Sequence, residues 1–179
     1  MRNPLEAIPN PTRKALFIAL LIWTLVLFAA FQPLSAPLQT PPAPAGIVSF
    51  ELAGTVEKAG AMIDSWDASA RLYAAFGLGF DFLFMPSYAL TLALGILLAA
   101  GRHPDPFARA GAWLGWGALA AAVFDAVENI ALFASLLGPV TAPWPQVAGW
   151  CATVKFTLLL LGIFYGLAGW LWPKARGAA

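Results

Sequence analysis

The chain has one cysteine and one histidine, and each scarcity removes a class of chemistry. Cys151 alone forms neither an intrachain disulfide nor a multi-thiolate metal site, and His103 stands beside Pro104 in an expected loop. Zinc, haem and iron–sulfur centres therefore lack a ligand set, and we expect no metal and no cofactor. Cys151 reads as a small packing residue. Charge is scarce as well: Asp, Glu, Lys and Arg make up 11% of the 179 residues, against roughly 25% in an average soluble domain. The basic residues are scattered and not striped with stacking aromatics, so nucleic acid is not an expected partner. No nucleophile elbow and no phosphate-binding glycine loop is present.

What the chain does have is apolar length. Sixty per cent hydrophobic residues and a mean hydropathy of +0.76 fall into four long blocks separated by short polar breaks, the pattern of one membrane domain. The expected fold is an all-α membrane protein with four transmembrane helices and a short extracytoplasmic amphipathic helix, the lipid bilayer being its first partner. Residues 1–14 form a polar head and residues 15–34 a first spanning helix, built on the apolar run 15–31. A cleaved signal competes there, since basic residues precede the run and Ala43-Pro44-Ala45 loosely matches a cleavage site. The run is longer than a signal core and that site is distant, so we read a membrane span.

Residues 35–67 form an extracytoplasmic spacer. Pro33, Pro37, Pro41, Pro42 and Pro44 argue against regular helix over 32–46, and residues 47–52 read as a short extended piece. Thr55 is the expected N-cap of a helix reaching Trp66, with Val56, Ala59, Ile63 and Trp66 on one face and Glu57, Lys58 and Asp64 away from it. That helix rests on the bilayer or the bundle rim, or covers a site as a lid. Residues 68–172 hold the other three spans, over 68–100, 107–137 and 146–172, broken at Gly101–Pro106 and at 138–145; Pro86 is expected to bend the second. Residues 173–179 form a tail.

Four crossings would put Arg2, Arg13, Lys14, Arg102, Arg109, Lys174 and Arg176 on one side and only Lys58 and Arg71 on the other. The positive-inside tendency makes both termini cytoplasmic. Trp113, Trp116, Trp170 and Trp172 then fall near the inner interface, and Trp66, Trp144 and Trp150 near the outer one.

The informative residues are those that do not belong in apolar helices. An ionised acid at the centre of a membrane helix costs about 2.5 to 3.5 kcal/mol, yet Asp125, Glu128 and Asn129 interrupt the third span, Asp81 the second and Lys155 the fourth. Counted inward from the outer ends, Asp81, Glu128 and Lys155 are each roughly 14 Å deep. Tyr88 shares a face with Asp81 about 10 Å along the axis. Two glycine pairs at i, i+4 spacing, Gly111 with Gly115 and Gly162 with Gly166, suggest close helix approach in the cytoplasmic half, and a wider outer half. Asp81, Asp125 and Glu128 against Lys155 leave a formal −2, so a proton, a cation or water must offset it.

The elements Asp81-Phe82-Leu83-Phe84, Asp125-Ala126-Val127-Glu128-Asn129 and Lys155-Phe156 resemble, in order, the D-x-L-F, D-x-x-E-N and K-F elements of a group of uncharacterised small bacterial four-helix membrane proteins. The likeness covers residues 50–166 and implies four helices, a shared polar cluster and a bacterial inner membrane; it lends no mechanism. Three functions compete on the residues themselves. The cluster binds a proton, cation or small polar ligand at Asp81, Asp125, Glu128, Asn129, Lys155 and Tyr88, as a transport or channel-like component. Alternatively it only fixes helix packing in a structural or assembly subunit, or it serves acid–base catalysis. Four helices make a thin wall for a solo transporter, so the first reading brings a homo-oligomer or a membrane partner protein with it.

Overall fold

The computed structural model describes residues 3–173; Arg2, Lys174 and Arg176, on which the orientation argument partly rests, lie outside them. Among the described residues the protein is all-helical, 82% helix without strands. The helices are α1 (Asn10–Ser35), α2 (Ile47–Glu51), α3 (Val56–Asp64), α4 (Ala68–Ala100), α5 (Asp105–Leu137) and α6 (Trp144–Leu171). Four of them, α1, α4, α5 and α6, are long and apolar enough to cross a membrane. They differ in burial: the apolar window of α4 is 61% buried and that of α1 only 6%, so α4 is a core helix and α1 a peripheral one.

The three C-terminal spans follow the sequence expectation to within two residues at every end. Asp67 Oδ1 starts α4 by accepting from the Ala70 amide at 2.7 Å, and Thr55 Oγ1 starts α3 by accepting from the Lys58 amide at 3.2 Å; both satisfy first-turn donors that have no partner inside the helix. Pro86 stays inside α4, which runs without a break.

Several expectations are corrected. Helix α1 starts at Asn10, inside the expected polar head, and ends at Ser35, one residue past the expected 34; Pro33 lies within it although no regular helix was expected over 32–46, and a 3-10 turn, Ala36–Leu38, follows. One missing donor near a helix end costs little, because the last turn is where pairing is weakest anyway. The expected extended piece at 47–52 is the short helix α2, entered through Gly46 at φ 58 and left through Gly54 at φ 67. Both angles lie in the left-handed region that glycine adopts without strain. Helix α3 ends at Asp64, two residues short of Trp66. Trp66 is no belt residue: it is buried, its ring meets Phe50 edge-on at 5.3 Å and its Nε1 donates to Leu38 O at 2.9 Å.

The chain divides into two units, each drawing on all four long helices. The first comprises Met1–Leu25, Pro86–Ala122 and Phe156–Ala179, the second Val26–Met85 and Val123–Lys155. In the first, the glycines expected to bring α5 against α6 lie chiefly against α4 and Asn3 instead, with only Gly111 also meeting α6, at Tyr165. A Cβ on Gly111 would stand 2.6 Å from Ala100 Cβ, one on Gly115 2.9 Å from Asn3 Nδ2, and one on Gly162 3.0 Å from Ile96 Cδ1, whereas Gly166 has open space.

The second unit is where a wider space was expected, and it is packed instead. Leu38, Ala43, Phe50, Ala59, Ile63 and Trp66 from the 36–66 stretch join Ala70, Leu78, Leu132 and Ala148 in one buried core. Residues 39–67 thus fold onto the long helices as a plug. Its closest seat is backbone on backbone: a Cβ on Gly149 of α6 would lie 3.1 Å from Gly54 Cα.

Candidate functional site

The second unit also holds the polar cluster. On α5 the buried positions Ala121, Asp125, Glu128, Asn129, Leu132 and Ser135 recur at i, i+3, i+4 spacing, while Val123, Phe124, Val127 and Ile130 are exposed. The helical period therefore turns all three polar side chains inward together. On α6 the small residues Ala148, Cys151 and Ala152 share the buried face of Lys155 and leave room for its long stem.

Lys155 is the hub. Its Nζ donates to Asp125 Oδ1 at 2.9 Å and to Glu128 Oε1 at 2.9 Å, and Glu51 Oε2 stands 3.6 Å away. The first two are charge-assisted hydrogen bonds; the third is an ion pair beyond hydrogen-bond reach. Beside this, Asn129 Nδ2 donates to Asp81 Oδ2 at 2.8 Å and to Leu78 O at 3.2 Å, tying α5 to α4. Acceptors outnumber donors: Glu51 Oε2, Glu128 Oε2 and Asn129 Oδ1 are buried without a hydrogen-bond partner. If every acid were ionised, Glu51, Asp81, Asp125 and Glu128 against Lys155 would give a formal excess of three negative charges. Carboxylates in a low-dielectric interior do not tolerate that excess without protonation or a counter-charge.

Of the six residues singled out from the sequence, five lie in this unit. Asp125, Glu128 and Lys155 form one direct contact set and Asp81 with Asn129 another, while Tyr88 is buried in the first unit. Glu51 is the member that sequence reasoning missed. It lies outside the spans, so no insertion cost flags it. The available signal was its setting, an acid flanked by Phe50, Leu52 and Ala53 and followed by Gly54. Glu51 is lifted from its ordinary value to about 7, chiefly by burial; the Lys155 ammonium opposes the rise and the Asp125 carboxylate adds to it.

Among the described residues no group of His, Cys, Asp and Glu side chains is arranged to hold a metal ion. The space on which the acids converge holds the Lys155 ammonium. Comparison with protein-family models, with curated proteins and with solved structures yields no match.

Proposed function

We propose that the protein is a multi-pass inner-membrane protein whose buried cluster binds a proton, as a transport or channel-like component. Of the proton, cation and small polar ligand considered from the sequence, the proton fits best. One observation carries this: three acids surround Lys155, and two of their oxygens, Glu51 Oε2 and Glu128 Oε2, have no donor. A tethered ammonium fills the place a free cation would take, and a proton on a carboxyl both removes charge and supplies the missing donor.

Membrane insertion is supported by the exposed apolar faces of the long helices, with Ile22, Val26, Leu72, Phe76, Val123, Phe164 and Leu171 all outward; soluble monomers rarely show apolar surface on this scale. The distribution of basic residues supports an orientation with both termini in the cytoplasm and the plug outside. A homo-oligomer or a membrane partner protein completes the wall that four helices leave thin. The test is proton counting. Purified protein in weakly buffered detergent is titrated from about pH 5 to about pH 9 beside a Glu51→Gln/Asp125→Asn/Glu128→Gln variant. The wild type should release protons near neutrality that the variant does not. Superimposable curves for two folded proteins would overturn the proposal.

A further inference from the structure

Glu51 differs from the rest of the cluster in how it is held. Asp125, Glu128 and Lys155 sit on spanning helices, whereas Glu51 ends the five-residue helix α2 in the plug. The side chains are ordered by exposure: Glu128 at 0%, Asp125 at 3%, Lys155 at 6% and Glu51 at 11%. The distances follow the same order, the inner acids at 2.9 Å and Glu51 at 3.6 Å from the ammonium. An open hollow of about 440 Å³ lies in the plug, lined by Pro42, Leu52, Ala53, Lys58, Ala61 and Met62; Leu52 and Ala53 directly follow Glu51 in the chain, and Glu51 itself is not part of the lining.

We propose that Glu51 is the residue through which the cluster exchanges its proton with water on the plug side. This rests on the reading of the cluster as a proton site. The step balances without any other reactant. A proton from water on the plug side joins the Glu51 carboxylate, one O–H bond forming as another breaks, and returns to water by the reverse step; Lys155, 3.6 Å away and beyond hydrogen-bond reach, takes no part in the transfer. Glu51 is then the group that holds the exchangeable proton, and the hydrogen bonds from Lys155 to Asp125 and Glu128 are unchanged. Beyond burial, the groups that set Glu51's affinity are Lys155 on α6 and Asp125 on α5; Glu128 on α5 and Asp81 on α4 also face the cluster and feel the Glu51 charge. A value of about 7 lets Glu51 both load and unload near neutrality.

Two anchors keep the group in place. Phe50, one residue before it, is held edge-on by Trp66, and Gly54, three residues after it, rests against Gly149. Both act through backbone position, so Glu51 can titrate without unfolding the plug.

Infrared titration of the full chain in lipid nanodiscs tests this, because a protonated carboxyl gives its own absorption. The wild type should show a carboxyl band that disappears as pH rises through neutrality. Glu51→Gln should lose that titrating band. Glu51→Asp, which keeps the acid and guards against misfolding of the first variant, should retain a titrating band at the shifted frequency of an aspartic acid. A band that persists in Glu51→Gln, unshifted in Glu51→Asp but abolished by Glu128→Gln, would overturn the role of Glu51 and leave the proton site standing. Absence of any titrating carboxyl in the wild type would overturn both.

Discussion

Lys155 Nζ donates to one oxygen of Glu128 at 2.9 Å, while the other oxygen of that carboxyl has no donor. Glu128 is fully buried, and the pair lies where insertion of either partner alone is unfavourable. The two residues come from different helices, so the contact fixes both the rotation of α5 and the register of α6. A proton on the unpaired oxygen would leave this geometry intact, which is why the same pair serves either packing or proton storage.

Removing the lysine alone should therefore be the most damaging change in the cluster. Lys155→Met keeps volume but strands Asp125, Glu128 and Glu51 without their cation, and breaking a buried pair costs about 3 to 5 kcal/mol. Adding Glu128→Gln should recover part of the loss. Thermal unfolding in detergent checks the order: wild type, then the double variant, then Lys155→Met. A single variant as stable as wild type would mean the ammonium is not what holds the acids.

Stability should depend on pH through Glu51. Its carboxyl is raised from 4.5 to about 7 in the folded protein, so between those values the folded chain keeps a proton that the unfolded chain has lost. The stabilisation is complete below the unfolded value and is lost as pH rises through about 7. The wild-type Tm should fall across that window, and Glu51→Gln, which cannot titrate, should fall less steeply. Parallel Tm curves would sink the assignment.

Seating of the plug can be tested at glycines. Gly149→Val places carbon against Gly54 backbone already 3.1 Å from a modest Cβ, so the plug must lift from α6, at about 1 to 3 kcal/mol and with faster proteolysis within residues 39–67. Gly166→Ala meets nothing within 4 Å and should be neutral or stabilising, since alanine is favoured over glycine in a helix by about 1 kcal/mol. Equal effects at the two sites would contradict the close approach.

The sequence made the long helices legible because membrane length and apolar content leave few alternatives, and it exposed Asp125, Glu128, Asn129, Asp81 and Lys155 because each is expensive in an apolar run. The same logic hid Glu51. An acid in a loop carries no insertion cost, and the fold that buries it depends on Gly54 meeting Gly149 across nearly a hundred residues of chain. Proline reasoning also reached too far: a count of prolines marks where a helix weakens, but Pro33 sits in a last turn that loses little by it. Trp66 was assigned by its position near a helix end, when its packing against Phe50 and its bond to Leu38 decide its place.

The proposed orientation rests on the charge distribution and is open to direct labelling. Single cysteines at Lys58 and Lys174, in a background with Cys151 replaced by alanine, should react with a membrane-impermeant reagent on opposite sides, Lys58 from outside intact cells and Lys174 only after lysis. Labelling on the same side would remove the four-crossing topology and, with it, the assignment of the plug to the exterior side.

The last prediction separates function from scaffold at Asp125. Asp125→Asn preserves shape and keeps an acceptor for the Lys155 ammonium, so a network that only holds helices should survive it with a Tm near wild type. A proton site should keep its fold but lose its role, because the Asp125 charge that helps to raise Glu51 is gone. The paired readout is Tm in detergent and rescue of whatever defect deletion of the gene produces, applied to Asp125→Asn and to the Lys155→Met/Glu128→Gln double variant. The double variant removes the Lys155–Glu128 pair together but still takes the cation from Asp125 and Glu51, so its rescue is read beside its Tm. Folded protein without rescue in both cases is the result expected of a proton-binding site. Folded protein with full rescue in both would assign the cluster to helix packing alone, and the chain to a structural or assembly role.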